Sequence, residues 1–471
     1  MSATRECVVT VELSRLDPAF YRLRYGYGIA HGDRTVDVPV GAIADLLDLA
    51  ETHYYLCPPE DPTKRIPLLR ECGRRLYTFL DTPERLLSGH RERTQGSWNT
   101  MVLSITAAER LDHLPWELLH DGRQFLVAAS RPVIPVRRVP GEGQPRPPAE
   151  RALRLMFMAC APVGDELSEL DYDGEHDAIM DVARRYPAEP HFDDSGDLRE
   201  LYDRLGEYDF DHFDVIHLSG HAGHSPRGAV FATEGPGGER VDADATMLHE
   251  ALRVSGPSLL FLSGCRTAEA SDVFATVSLA EKLAGNSAPI VLGWGRPVPD
   301  AAATEAAAAF YKVLAQGRTV AEALSATYRM MIDKNDSYWH TLRTFVCGAL
   351  PGPLVSAARS RDGGYAAQPM PQPGDEARTT SWLGFVGRRR ELQEAIRLLN
   401  RKAYPDPIGL IICGMGGVGK TRLARRIHQR LSPDFDVVRI RRGLNEIMLI
   451  EAIRRKYSEF PSAGAVPLVL L

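Results

Sequence analysis

Two short segments of this chain end the same way. VIHLSGH runs from Val215 to His221, and LLFLSGC runs from Leu259 to Cys265. Each is an apolar run that breaks at Leu-Ser-Gly and then delivers one side chain able to do chemistry, an imidazole and a thiol. In a parallel sheet the residues just past the carboxyl ends of neighbouring strands meet at one edge, where open α/β folds place their chemistry. A thiol is a poor nucleophile until it is deprotonated, and a neighbouring imidazole both lowers its pKa and takes the proton. In that pairing Cys265 attacks a peptide carbonyl, and His221 acts first as base and then as acid to the leaving amine. The tetrahedral oxyanion needs backbone N–H donors, for which Ala222 and Cys265 are the candidates. The plainer alternative makes Cys265 a small buried hydrophobe and His221 a polar strand end. Two matching breaks, 44 residues apart, weigh against it. His217 reads as a core residue of its strand, and His224 as a residue of the following loop.

A second motif lies far downstream. GMGGVGKT (Gly414–Thr421) fits GxxxxGK[ST] in full, with apolar IGLIIC before it and a helix carrying Leu423, Ile427 and Leu431 after it. Such a loop closes backbone N–H groups around phosphates, here from Gly414, Gly416, Gly417, Val418 and Gly419. Lys420 neutralises phosphate oxygens, and Thr421 offers its hydroxyl to Mg²⁺. ATP or ADP with Mg²⁺ is the expected ligand of this part, and the His–Cys pair needs no cofactor. VPLVLL, ending at Leu471, reads as the next nucleotide-site strand, whose terminal acid would follow. The expectation is therefore a fragment of a longer protein that binds nucleotide without hydrolysing it efficiently.

The elements that must hold these groups are legible in the periodicity. Val9, Val11 and Leu13 alternate as in a half-buried strand, helical stretches cover Gly41–His53 and Leu68–Leu80, and MVLSI (101–105) is strand-like. After Pro148 the rhythm is that of a parallel α/β sheet. Strand-like runs fall at Leu153–Cys160, Phe213–Leu218, Ser258–Leu262 and Pro289–Leu292, with helix-length segments between them. Ala301–Leu314 is an Ala-rich helix, and Val320–Ile332 carries an apolar stripe. PGEGQPRPP (140–148) reads as a loop within a domain, and the Pro/Gly-rich stretch after Pro351 as a flexible linker. Trp116 and Glu117 read as a packing anchor with a buried, hydrogen-bonded carboxylate.

Bulk properties narrow the field. At 471 residues, net charge −6 and 44% apolar content, the chain fills ordinary cores and has no global basic field for nucleic acid or an anionic membrane. Seven scattered cysteines without CxxC spacing argue for reduced thiols rather than disulfides or zinc. No signal-peptide core or membrane-length apolar run is present. The chain reads as cytoplasmic.

The blocks around the pair resemble the CHAT family of caspase-like cysteine peptidases. They are LPWELLHDG (114–122), HLSGHAGHS around His221, FLSGCRTAEA around Cys265, LGWGRPVPDAAATEAAAAFYKVLAQGRTVAEAL (292–324) and YWHTLRTFVCGAL (338–350). The resemblance implies a mainly parallel sheet sandwiched by helices, with the dyad at His221 and Cys265. One departure is Ala222, where the family commonly has Gly. If that position needs φ > 0, Ala is strained there; if it only donates its N–H, Ala serves. Peptidases of this group often hold a basic P1 side chain on a carboxylate, and Asp300, Glu269 and Asp272 are the candidates. As plain structure, each is a loop charge or helix cap. FVGRRRELQEAIRLL (385–399) resembles the start of NB-ARC and related STAND signalling ATPases, with Val386 and Arg388 near the adenine.

The expected fold class is therefore α/β, a caspase-like sheet followed by a truncated P-loop NTPase domain. Residues 1–352 form the peptidase domain (1–138 and 149–352), 353–384 the linker, and 385–471 the start of the NTPase. The resemblance implies a peptidase that self-associates through the NTPase and cuts a partner protein in a bacterial defence or programmed-death pathway. Self-cleavage at Arg359, Arg361 or Arg378 is a further expectation. The main rival is a catalytically silent caspase-like interaction module on a regulatory ATPase. A nucleic-acid translocase is disfavoured, because the arginines after the phosphate loop lie on the polar face of an amphipathic helix.

Overall fold

In the computed structural model the described residues are 6–27, 32–56, 62–94, 96–107, 111, 113–141, 143, 146–162, 170–226, 228–236, 238–264, 275–348, 350, 352–356, 388–399, 410, 412–415, 419–431, 436–439, 451 and 467–470. The chain begins with β1 (Glu6–Arg15), β2 (Phe20–Gly26), β3 (Asp33–Pro39) and α1 (Gly41–Asp48), which runs on into π-helical turns over Leu49–Leu56. Next come α2 (Pro62–Asp81), α3 (Leu86–Arg93), β4 (Thr100–Ala107) and β5 (Val133–Val139). Beyond the first Pro/Gly stretch lie β6 (Leu153–Ala159), α4 (Tyr172–Arg185), β7 (Ala188–Asp193), α5 (Leu198–Leu205), β8 (Val215–Ser225) and β9 (Gly228–Glu234). They are followed by β10 (Arg240–Ala243), α6 (Ala245–Leu252), β11 (Leu259–Gly264), α7 (Ala275–Leu283), β12 (Ile290–Trp294), α8 (Asp300–Ala315), α9 (Val320–Asp333) and β13 (Leu342–Cys347). The last elements are α10 (Arg389–Leu399), α11 (Lys420–Leu431), β14 (Asp436–Arg439) and β15 (Pro467–Leu470).

One large sheet runs in the order β10-β9-β8-β11-β12-β13-β5-β4-β1-β2-β3, with β6 also paired to β8 and β7 to β6. Its middle is mostly parallel, β6, β8, β11 and β12 all pointing one way, whereas β13 runs antiparallel to β12 and both margins end in antiparallel strands. The sheet is thus mainly parallel, as expected, but mixed. Residues 1–138 and 149–352 share it without a break, through the parallel pairing of β13 with β5.

Burial explains the sequence pattern. Every residue of β11 and β12 is buried, as two-sided coverage by helices requires, so these strands read as continuous apolar runs rather than alternations. The period of two still sorts side chains between faces. Val215, Leu259, Phe261 and Leu292 join the larger core, with Phe310, Tyr311 and Leu324 of α8 and α9. Ile216, Leu218, Leu260 and Leu262 face the other way, with Leu201, Leu248 and Leu279 of α5, α6 and α7. At the margin only one face is covered, and β1 alternates as expected, with Val9, Val11 and Leu13 buried.

Two expectations change. The strand foreseen over IGLIIC is not formed at its described positions, Leu410, Ile412 and Cys413. A strand needs a laddered neighbour, and these positions have none among the described residues. Backbone pairing continues past residue 352, where Ala149 N–H donates to Leu354 O at 3.0 Å and Ser356 N–H returns to Ala149 O at 2.9 Å. His224 is not on a loop, since β8 continues past His221 into a hairpin with β9.

Candidate active site

The register between β8 and β11 brings the two sequence breaks together. Leu259 pairs with Val215, and the parallel ladder runs without a slip to Ser263↔Ser219 and Gly264↔Gly220. Its offset is the same 44 residues that separate His221 from Cys265. His221, buried at 4% exposure, is the next residue of β8. Cys265 lies outside the described residues, one position beyond the end of β11.

Backbone conformation answers the question raised by Ala222. It lies inside β8 opposite Phe231, and the described non-glycine residues with positive φ are Thr82, Arg85, Asn335 and Arg388. Alanine is therefore unstrained there, and a glycine is not needed.

Alternation places His217, Ser219 and His221 on the face of β8 that meets α4. There Ser219 Oγ donates to Glu175 Oε2 at 2.6 Å. His217 is fully buried and stacks on Phe261, with ring centroids 4.7 Å apart. Burial pushes the His217 imidazole down to about 3, so its 3.5 Å approach to Glu175 Oε1 joins a neutral ring to a carboxyl group rather than forming an ion pair. Burial also pushes Glu175 up to about 7, with Ser219 pulling it down and Asp300 and Asp171 adding to the rise. Sequence reading missed Glu175. It lies in the first turn of α4 in a run of charges (DYDGEHD), and only long-range packing turns it under β8.

This buried carboxyl has a consequence for stability. Its folded-state pKa lies above the ordinary 4.5, so the fold holds the proton more tightly than the unfolded chain. Its contribution therefore falls as pH rises from about 4.5 to about 7 and is level beyond. Glu175→Gln is expected to match wild type at pH 5 and to exceed it by roughly 2–3 kcal/mol at pH 8. Urea denaturation at both pH values reads this, and equal offsets at the two would contradict it.

Of the candidate S1 acids, Asp300 opens α8, and its Oδ2 accepts from Asp171 N–H at 3.3 Å. Its Oδ1 is buried and makes no hydrogen bond. Glu269 and Asp272 lie outside the described residues, as do the linker arginines 359, 361 and 378, and Val386. Arg388 immediately precedes α10 and has φ +61°. Glu117 is fully buried and receives a two-pronged hydrogen bond from Arg137, at 2.5 and 3.1 Å.

In the phosphate loop Gly416, Gly417 and Val418 lie outside the described residues. Gly419 has φ +87°, a left-handed conformation that favours glycine just before α11 begins. Lys420 Nζ donates to the carbonyls of Gly414 and Met415, both at 2.8 Å, and Thr421 is the second residue of α11. The same helix is fastened to the segment from β7 to α5. Arg426 donates to Asp194 at 2.8 and 3.0 Å and to Glu200 at 2.9 Å. Arg430 donates to Ser195 O at 2.7 Å. From α10, Arg389 donates to buried Glu234, and Gln393 to Ala161 O at 2.6 Å. Glu234 lies two residues past Ala232, the partner of His221 across the hairpin. Among the described residues there is no metal-type cluster of His, Cys, Asp and Glu, and no helix long and apolar enough to cross a membrane.

The class defined by these features is an α/β domain whose mixed sheet sets a buried histidine at the carboxyl edge of two adjacent parallel strands. The chain belongs to the CHAT domain family, a family of caspase-like cysteine peptidases, whose profile matches residues 70–386. Two crystal structures of the Saccharomyces cerevisiae separase–securin complex are similar at 9% and 10% identity, with TM-scores of 0.40 and 0.41. The similarity covers 73% and 74% of this chain but 30% of the other in each case. No curated protein sequence matches the chain.

Proposed function

We propose that the chain is a cysteine endopeptidase in which His221 and Cys265 form the catalytic dyad. The observation that carries the reading is the unbroken β8–β11 register, which ends one residue short of both members. In the proposed reaction His221 takes the Cys265 thiol proton, and the thiolate sulfur bonds to the scissile carbonyl carbon. Collapse of the tetrahedral adduct breaks the C–N bond as imidazolium gives its proton to the leaving amine. Water, deprotonated by His221, then hydrolyses the thioester. The N–H groups of Ala222 and Cys265 serve the oxyanion, and Asp300, Glu269 and Asp272 are the acids proposed to meet a basic P1 side chain. The test is to expose a proteome to wild type and to Cys265→Ala and sequence the new amino termini. Termini that appear with wild type alone support the reading, and identical sets reject it.

The carboxyl-terminal segment is proposed as a STAND-type nucleotide switch on this peptidase. Its support is the GMGGVGKT motif together with the arginine contacts of α11 to Asp194 and Glu200, which tie the helix after the loop to the peptidase. MgADP binding to the full chain, read by calorimetry, is expected to weaken at least about tenfold in Lys420→Ala. Equal affinity in both proteins would remove the phosphate loop from the account. Self-association through this segment, and a role in defence or programmed death, rest on the resemblance of domain order.

A further inference from the structure

A cavity of about 190 Å³ opens where the chain leaves β12, with Tyr54, Arg65, Arg296, Ser337, His340 and Thr341 among its walls. Three distant parts of the sequence converge there: the π-helical turns with α2, the segment after Trp294, and the turn before β13. Among the described residues, no acidic side chain lines it. Arg296 Nη1 donates to Tyr54 O at 2.6 Å, and its guanidinium lies 5.5 Å over the Tyr54 ring. Arg65 Nη1 reaches Ser337 Oγ at 3.0 Å.

His340 is one of the walls of this cavity. It is buried, and burial, then Arg296 and Arg343, push its imidazole down to about 3, with the Ser337 backbone pulling weakly the other way. Tyr54 OH meets His340 Nδ1 at 2.7 Å, while Nε2 has no partner in hydrogen-bond geometry. In the tautomer where the tyrosine hydroxyl donates to Nδ1, the ring proton sits on Nε2 and meets no acceptor among the described residues. Arg343, fully buried, bonds Tyr55 OH through Nη2, and its Nε and Nη1 meet no acceptor among the described residues. Glu117, the carboxylate that acts on Arg343, is already held by Arg137. Buried donors without acceptors are costly and call for a partner. Here two arginines, Arg65 and Arg296, line a cavity of roughly six water volumes.

We infer that this cavity binds a small oxyanion, a phosphate or carboxylate group, held by Arg296 and His340 with Arg343 behind them. The site is too small for a whole nucleotide and is separate from the phosphate loop at Lys420. It lies at the same edge of the sheet as His221, two strands along through β11 and β12, so an anion there stiffens the exit of the strand beside β11. The inference does not depend on the peptidase reading.

The test uses the full chain in a Lys420→Ala background, which removes phosphate binding at the loop. Inorganic phosphate and N-acetyl-aspartate amide are titrated separately by calorimetry, to tell a free phosphate-type ligand from an acidic side chain. At least one is expected to bind saturably at millimolar concentration. Arg296→Gln should weaken it at least about tenfold, and Arg296→Lys by less, as loss of one charge-assisted contact predicts. Arg22→Gln, at an exposed ion pair on β2, should leave it unchanged. Thermal midpoints without ligand show that each variant is folded, and should Arg296→Gln unfold, Arg296→Lys carries the comparison alone. No saturable binding of either probe, or binding indifferent to Arg296, overturns the site.

Discussion

Cys265→Ala is expected to lower the rate of peptide-bond cleavage by at least ~10⁴-fold, and His221→Ala by a comparable factor. The reason is that the two act as one unit. Without the thiol there is no acyl-enzyme, and without the imidazole the thiol stays protonated and the leaving amine has no acid. Losses in such a pair do not add, so the double variant should be no slower than the slower single one. Additive losses would mean that the two residues work apart, against the proposed dyad. Ala222→Gly, by contrast, should change the rate little, because position 222 lies in extended strand. The assay is single-turnover cleavage of a substrate found by terminus sequencing.

The second large effect concerns the fold. Glu117 and Arg137 are 0% and 1% exposed and share two hydrogen bonds, and Arg137 also donates to Leu114 O at 2.8 Å. They join the turn at Trp116–Leu118 to β5 and so brace the junction with β13. Removing one partner strands the other charge in the core. Glu117→Ala is therefore expected to destabilise the protein by about 3–5 kcal/mol. Replacing both, as Glu117→Leu with Arg137→Met, should recover much of that loss, because the desolvation cost disappears with the charges. Denaturant titration followed by tryptophan fluorescence reads both; Trp116 lies beside the change. A loss below about 0.5 kcal/mol for Glu117→Ala would place the pair in water rather than in the core.

The sequence carried the sheet well where a strand is covered on both faces. LLFLSG and VIHLSG are continuous apolar runs, and their twin endings hold the register because the offset between the motifs is the offset of the ladder. Glu117 was legible too, since a carboxylate between Trp116 and Leu118 must be paired to be buried. Glu175 was not, because only the packing of α4 against β8 brings its carboxyl to Ser219. The same holds for the cavity at Arg296 and His340, whose walls come from positions 54 to 341. At the described positions of IGLIIC, Leu410, Ile412 and Cys413, the expected strand is absent for a related reason, since an apolar run alone does not supply a neighbour to pair with. The extension of β8 past His221 was hidden by polar HAGHS, which becomes strand only through its ladder with β9.

The central claim is that Cys265 is a nucleophile activated by His221. It is tested most directly by treating the folded full chain with a peptide carrying a carboxyl-terminal acyloxymethyl ketone and mapping the modified cysteine by mass spectrometry. Labelling of Cys265 well ahead of the other six cysteines, slowed at least about 100-fold in His221→Ala, is the result predicted here. Labelling spread evenly over the cysteines, or a Cys265 rate unchanged by the loss of His221, would contradict it.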